Sequence, residues 1–480
     1  MLINRKQELN LLDNLYRSDR AEMYVLYGRR RVGKTELLRE FCAGKPHIFF
    51  IATLSSDNEQ LANFSQQIYA FNHVEVPEGF TFPSWDAAFR ALAELAVNDA
   101  HAPNGHDGHE RPVVILDEFT YLISGNKAIP SIIQKVWDAL LKNTRIMLVL
   151  CGSYIGMMET EILGYRAPLY GRRTASTLLL PLDLPSTALF FPDYSADEQF
   201  LAWAVLGGMP YYLNTFNRRQ TVMENTLTHI LRARTGTLYN EPRLLLMEEL
   251  REPRNYFSIL RAMAQGRTRM NEITLASGVP EITSVARYLD ILQQMRLVTR
   301  HVPVTENQPD KSKKGLYRID DHFLRFWFRY VHPNQASLDL GLDDIIFKKR
   351  IQPNLDDFVS SCFEEAARAH FAKLARTGQL SFIPERIGGW WDRVTEINVV
   401  AYSETDKTAL IGECKWSVNP IGINVLEHLK AQAQTMLQGT PIQTIQYALF
   451  SRSGFTAAME RQAAAESISL ITVKEMVTPA

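Results

Sequence analysis

Short uninterrupted apolar runs dominate the first third of the chain, separated by stretches of helical pattern. Met23 to Leu26, Ile48-Phe49-Phe50-Ile51-Ala52, Val113-Val114-Ile115-Leu116 and Ile146-Met147-Leu148-Val149-Leu150 hold four or five apolar residues each. Runs of that length without polar alternation predict strands buried on both faces, as in a parallel sheet covered by helices. Leu9, Leu11, Leu12 and Leu15 mark an amphipathic helix ahead of the first strand. It either covers a bound base or is a plain surface helix. Glu36-Leu37-Leu38-Arg39-Glu40 favours a second helix directly after that strand.

The pattern changes beyond residue 250. Tyr256 to Ala264 has helical spacing, and stretches 269–277 and 282–292 are helical on either side of a turn at Gly278. Leu297-Val298-Thr299-Arg300 and Leu316-Tyr317-Arg318-Ile319 then read as a hairpin across a polar loop. Helix, turn, helix and hairpin is the order of a winged helix-turn-helix. Asp321 to Tyr330 interleaves aromatics with arginine. It reads either as a base-stacking surface or, from its helical spacing, as a core helix with its cationic face outward. Phe358 to Leu374 predicts a helix carrying Glu364 and Glu365, and 396–401 and 410–416 predict two adjacent strands.

At 480 residues the chain exceeds one ordinary core, so three domains is the expectation from length. Hydrophobic and charged contents of 46% and 22% describe a soluble globular protein. A net charge of −1 exerts no global pull on nucleic acid and confines any such binding to local patches. One patch stands out: residues 251–330 carry 14 Lys/Arg against 8 Asp/Glu, a local net of +6. Thr283, Ser284 and Arg287 of its second helix and Lys311, Lys313 and Lys314 of its hairpin loop are the candidate DNA contacts. A packing and gating role for the module is the competing reading. Cys42, Cys151, Cys362 and Cys414 are far apart and read as buried thiols of a reducing compartment. No apolar run approaches the ~18 residues of a membrane span, so no membrane association and a cytoplasmic location are expected. Asn98 to Pro112 reads as a solvated loop rather than a metal site, despite His101, His106, Asp107 and His109.

Chemistry enters at Gly28-Arg29-Arg30-Arg31-Val32-Gly33-Lys34-Thr35, which matches G-x-x-x-x-G-K-[ST] between a strand and a helix beginning near Glu36. Gly28 and Gly33 let the backbone curl so that N–H groups face phosphate oxygens, and the helix N-terminus adds positive potential. Lys34 is placed to reach the β- and γ-phosphates of ATP, and the Thr35 hydroxyl to hold Mg²⁺. The run 113–116 ends in Asp117-Glu118, where ligands meet an open α/β sheet. Asp117 is expected to complete the Mg²⁺ shell and Glu118 to polarise water. Ser153, at the end of the neighbouring strand, is either a γ-phosphate sensor or a turn serine. Arg172 and Arg173 are candidate arginine fingers, in cis or from another copy of a homo-oligomer, or else a solvated basic turn. Gly207-Gly208-Met209-Pro210 allows close backbone approach, with Pro210 either near the base or in a structural turn. In the last part, alternation puts Glu413 and Lys415 on one strand face. An E-x-K triplet beside an acidic strand and a glutamate-bearing helix is how metal-dependent nucleases gather ligands.

In combination, the phosphate loop, the Leu116-Asp117-Glu118 strand, Cys151-Gly152-Ser153, the Gly207 to Pro210 box and the helix-turn-helix resemble archaeal-type ATPases of the STAND branch of AAA-like P-loop proteins. Residues 358 onward resemble that family's C-terminal DUF234 domain, similar to PD-(D/E)xK nucleases. The resemblance implies a P-loop parallel sheet at 1–180, a helical lid at 181–250, a winged helix-turn-helix at 251–330 and an α/β restriction-endonuclease-like domain at 331–480. It implies an ATPase coupled to a DNA-directed module, and places Arg5 and Glu8 in an N-terminal nucleotide box. The implied nuclease-like site is Glu364, Glu396, Asn398, Glu413 and Lys415. Where such domains carry Glu-Ile-Asp, this chain has Glu396-Ile397-Asn398. Asn398 offers a neutral carbonyl oxygen in place of the central carboxylate, which weakens a Mg²⁺ site.

Overall fold

The computed structural model describes residues 3–72, 77–95, 111–250 and 252–479, which divide into two compact units, 1–181 and 182–480. The four polar residues His101, His106, Asp107 and His109 lie outside the described residues.

The first unit is built on the predicted apolar runs. Strands β1 (Glu22–Tyr27), β2 (His47–Ile51), β3 (Val113–Asp117), β4 (Met147–Gly152) and β5 (Ala175–Leu178) form one parallel sheet in the order β2-β3-β4-β1-β5. β1, β3 and β4 are buried almost throughout, as unalternated strands require. Helices Asp57–Asn72, Trp85–Leu95 and Ile129–Ala139 cover one face through Phe64, Trp85, Phe89, Ile133 and Val136. β4 lies between the two motif-bearing strands. Its register sets Tyr27 beside Gly152 and Leu116 beside Leu150, so the ends of β1, β3 and β4 emerge together at one edge.

In the second unit, helices Pro253–Ala264, Met270–Ser277 and Ile282–Gln294 precede an antiparallel pair, β6 (Val298–His301) and β7 (Leu316–Ile319). Gly278 ends the middle helix in the left-handed conformation, at φ 71°, a turn that favours glycine. The aromatic stretch after the hairpin is core: Phe323, Phe326, Trp327 and Phe328 are fully buried. The expected outward cationic face is corrected here. Arg325 lies four residues before Arg329, on the side that meets the helix Leu355–Arg376, and turns inward to Glu365. The C-terminal sheet runs β12-β11-β10-β9-β8, from β8 (Arg386–Trp391), β9 (Glu396–Ser403), β10 (Thr408–Lys415), β11 (Thr444–Ser451) and β12 (Ser469–Thr472). It is antiparallel from β8 to β10 and parallel from β10 to β12. The helix Ile423–Leu437 packs on it through Leu426, Leu429 and Ala433.

The backbone requires glycine at Gly208, where an added Cβ would stand 1.8 Å from the Leu182 carbonyl oxygen. Among the described residues, no helix is long and apolar enough to cross a membrane.

Candidate functional site

The phosphate loop links β1 to the helix Lys34–Cys42 with Gly28 at φ 153° and Gly33 at φ 97°, both in regions that disfavour a side chain. A Cβ on Gly28 would lie 2.5 Å from the Leu179 carbonyl oxygen. Gly33 occupies the N-cap without a side-chain hydrogen bond, so the helix's first N–H groups point toward the loop uncapped. Lys34 Nζ donates to the carbonyls of Gly28 (2.8 Å) and Arg29 (3.0 Å), which curls the ammonium back across the loop. Arg30 donates to the Tyr121 hydroxyl, a partner that sequence reading missed, and its guanidinium sits 5.7 Å from that ring's centre. Arg31 holds a left-handed φ of 68°, Val32 is buried, and Glu36 stands in the helix's first turn.

The strand edge carries the acids. Thr35 Oγ1 donates to Asp117 Oδ2 at 2.7 Å, joining residues 82 positions apart. Ser153 Oγ, just beyond β4, donates to Glu118 Oε1 at 2.9 Å. Glu118 Oε2 is buried without a hydrogen-bond partner among the described residues. Glu118 also holds φ 51° and ψ 40°, a conformation that costs a non-glycine residue about 1–2 kcal/mol. A carboxylate with one oxygen unmatched, carried on strained backbone beside a threonine–aspartate pair and an uncapped helix, fits a Mg²⁺-bound triphosphate.

Arg5, buried at the start of the unit, donates to Val32 O (3.3 Å), Leu180 O (2.8 Å) and Glu8 (3.1 Å). Arg172 is held in a fork by Asp138, at 2.6–3.0 Å, with the Pro168 and Tyr170 carbonyls on Nη1. Arg173 donates to Leu163 O. Pro210 opens the helix Pro210–Thr215 of the second unit.

Within the second unit, a cavity of about 900 Å³ brings together Glu364, Glu396 and Asn398. Glu413 and Lys415 pair with each other at 2.7 Å and are not among its lining residues. Two arginines not singled out in the sequence enter the acidic group. Arg318, from β7, lies 3.8 Å from Glu364 and 3.7 Å from Glu396. Arg368, one turn beyond Glu364, lies 3.9 Å from it and donates to the Asn398 carbonyl at 2.8 Å. Burial pushes the Glu364 carboxyl up to about 7 against the pull of Arg368 and Arg318, with Glu396 and Glu365 adding to the rise. Burial, then Arg318 and Arg368, push the neighbouring His301 down to about 4. Helical spacing gives the Glu364–Arg368 pair, so it was legible; the arrival of Arg318 depends on how the hairpin packs.

Thr283 and Arg287 are exposed and Ser284 half-buried on the helix Ile282–Gln294. Lys311, Lys313 and Lys314 are exposed, with Lys314 paired to Glu306 at 2.6 Å. The hairpin loop is tied to the C-terminal sheet: Arg386 donates to the carbonyls of Val304 and Glu306, and Trp391 to that of Lys314.

The strand order and the phosphate-loop geometry define a P-loop ATPase unit. A family model described as an ATPase domain predominantly from Archaea matches residues 2–216. The DUF234 model, described as archaeal and bacterial proteins of unknown function, matches residues 327–429. An uncharacterized protein of Methanocaldococcus jannaschii is 32% identical over 416 residues, covering 87% of this chain and 88% of that protein. An uncharacterized ATP-binding protein of the same organism is 47% identical over 45 residues, 9% of this chain and 76% of that protein. A Walker-type ATPase of Pyrococcus abyssi shares the fold at a TM-score of 0.51 and 24% identity, covering 68% of this chain and 96% of its own. The chain belongs to the archaeal-type P-loop ATPases that carry a C-terminal DUF234 domain.

Proposed function

We propose that the chain is an ATP-hydrolysing switch whose nucleotide state governs engagement of DNA by its helix-turn-helix and C-terminal domain. The Thr35–Asp117 hydrogen bond carries the first half of this reading. Its two oxygens are where a Mg²⁺ ion would be held, leaving Lys34 for the β- and γ-phosphates and the loop N–H groups for the rest. Mg²⁺ supplies charge neutralisation between the phosphates when bound. Glu118 orients and deprotonates the attacking water through its unmatched oxygen, and Ser153 fixes the other. Arg173 is the better placed of the two finger candidates for action on another copy, because Arg172 is occupied by Asp138. The local charge of +6 and the exposed Thr283, Arg287, Lys311 and Lys313 support the DNA half. ATP turnover with and without DNA, at two salt concentrations, tests the coupling. DNA should change the rate, and the change should shrink as salt rises. A rate indifferent to DNA at both salts would remove it.

A specific observation favours a C-terminal domain that binds without cutting. Arg318 and Arg368 neutralise the acids that would gather a metal, and Asn398 lacks the charge to compete with them. The native chain should leave single- and double-stranded DNA intact with Mg²⁺ or Mn²⁺, and Asn398→Asp alone should not restore cutting. Cleavage by the native chain that Lys415→Ala abolishes would overturn this.

A further inference from the structure

A second cavity of the second unit, about 490 Å³, opens beside the helices Glu241–Glu249 and Pro253–Ala264 and the turn at His332. Arg243, Arg254 and Arg261 line it together with Phe257, Trp327 and His332, and no carboxylate is among its described lining residues. None of the three guanidinium groups has a hydrogen-bond or ion-pair partner among the described residues. That differs from the larger cavity, where each acid is already matched by an arginine.

The floor is aromatic. Trp327 is fully buried, with its indole N–H committed to the Tyr239 carbonyl at 2.6 Å. Phe257 lies 6.4 Å from Trp327 and 6.1 Å from His332, centre to centre, and is half-buried. His332 Nδ1 is buried with no hydrogen-bond partner among the described residues, an unfavourable arrangement until something satisfies it. Burial, and then the fields of Arg261 and Arg243, push this ring below its ordinary imidazole value. The planar donor fork of an unpaired arginine matches the oxygens of a multivalent anion such as phosphate, and an accessible phenyl face accepts a nucleobase. The volume lies within the usual range for small-molecule sites, ~300–1,000 Å³.

We propose that this cavity is a second nucleotide site, holding a phosphate on Arg243, Arg254 and Arg261 and a base over Phe257, with the His332 ring nitrogen as a further polar contact. The chemistry is shared by a free nucleotide and by one nucleotide of a strand. It does not depend on hydrolysis at the phosphate loop.

The test uses the full-length chain and its Lys34→Ala variant, which disables the phosphate loop. Two probes distinguish the sources: a fluorescent aminopurine nucleoside monophosphate, and a single-stranded oligonucleotide carrying aminopurine. Stacking should quench the fluorescence in both proteins, and inorganic phosphate should compete. Arg243→Ser combined with Arg261→Ser should weaken binding roughly tenfold or more. These arginines are exposed, so the melting temperature should hold and report an intact fold. Phe257→Leu should reduce the quenching more than the competition by phosphate, whereas Arg287→Ser with Lys313→Ser should leave the mononucleotide signal unchanged. Quenching of the mononucleotide identifies a free nucleotide as sufficient; quenching of the strand alone identifies the strand. Absence of quenching with both probes, or equal quenching in the double arginine variant, overturns the proposal.

Discussion

Glu118 separates catalysis from stability at one residue. Its carboxylate is the proposed water-orienting group, while its backbone sits at φ 51° and ψ 40°. Glu118→Gln keeps the shape and removes the base, so kcat should fall ~10²–10⁴-fold, equivalent to about 3–5 kcal/mol of transition-state stabilisation. ATP affinity should change little, because the loop, Lys34 and Thr35 are untouched. The backbone term is isolated by comparing Glu118→Ala with Glu118→Gly. Both lose the hydrogen bond from Ser153 and differ only at the Cβ. At an ordinary position alanine is the more stable, by roughly 0.5–1 kcal/mol. Here the left-handed penalty of about 1–2 kcal/mol reverses the order, leaving glycine ahead by about 1 kcal/mol. For a unit of this size that is about 2–4 °C in the melting temperature. Thermal scans of the nucleotide-free proteins, with Mg²⁺-ATP turnover in parallel, provide the measurement. Alanine more stable than glycine would refute the strain, and turnover by Glu118→Gln within a few-fold of the native rate would refute the base.

Other outcomes follow from contacts described above. Lys34→Ala should abolish nucleotide binding or hydrolysis, checked by calorimetry and phosphate release. Thr35→Ala should lower the apparent affinity for Mg²⁺ in turnover assays far more than that for ATP. Arg325→Met should destabilise by about 3–5 kcal/mol at neutral pH, because it strands the buried Glu365 charge beside His322. Burial opposes ionisation of Glu365, yet Arg325 and His322 hold its carboxyl well below the usual range. The stability from this depressed pKa is present above the unfolded value near ~4.3 and lost as pH falls through the folded one. The deficit of Arg325→Met in urea unfolding should therefore shrink only once pH falls below ~4.3, toward the depressed folded value. Gly208→Ala should cost at least ~3 kcal/mol by thermal melting, since the 1.8 Å approach to a backbone oxygen leaves no flexible neighbour to move.

The runs that became β1 to β4 were readable because a strand buried on both faces has no alternation to disguise it. Glycine positions announced both the phosphate loop and the turn at Gly278, since φ values near 97° and 71° exclude most other residues. Residues meeting across long separations were less legible. Thr35 and Asp117 were each assigned a role from sequence, but their contact follows from the strand order and register. The Arg30–Tyr121 contact and the entry of Arg318 between Glu364 and Glu396 have no periodic signal. Both depend on how separate elements pack. Helical spacing around Arg325 and Arg329 gave a helix face but not its direction, because the charge that draws Arg325 inward lies 40 residues away at Glu365.

Arg5 makes the first unit mechanically closed. One guanidinium group grips the carbonyl of Val32 inside the phosphate loop and that of Leu180, where the chain is about to leave the unit. The same exit segment presses the Leu179 carbonyl against Gly28 at the loop's other end. Loop and exit therefore share two fixed points, one at each end of the phosphate cradle. A change in loop curvature must be absorbed at residues 179–180, and a pull on that peptide must be felt by the cradle. The tether is short, one guanidinium group and one close backbone approach, so it transmits displacement with little slack.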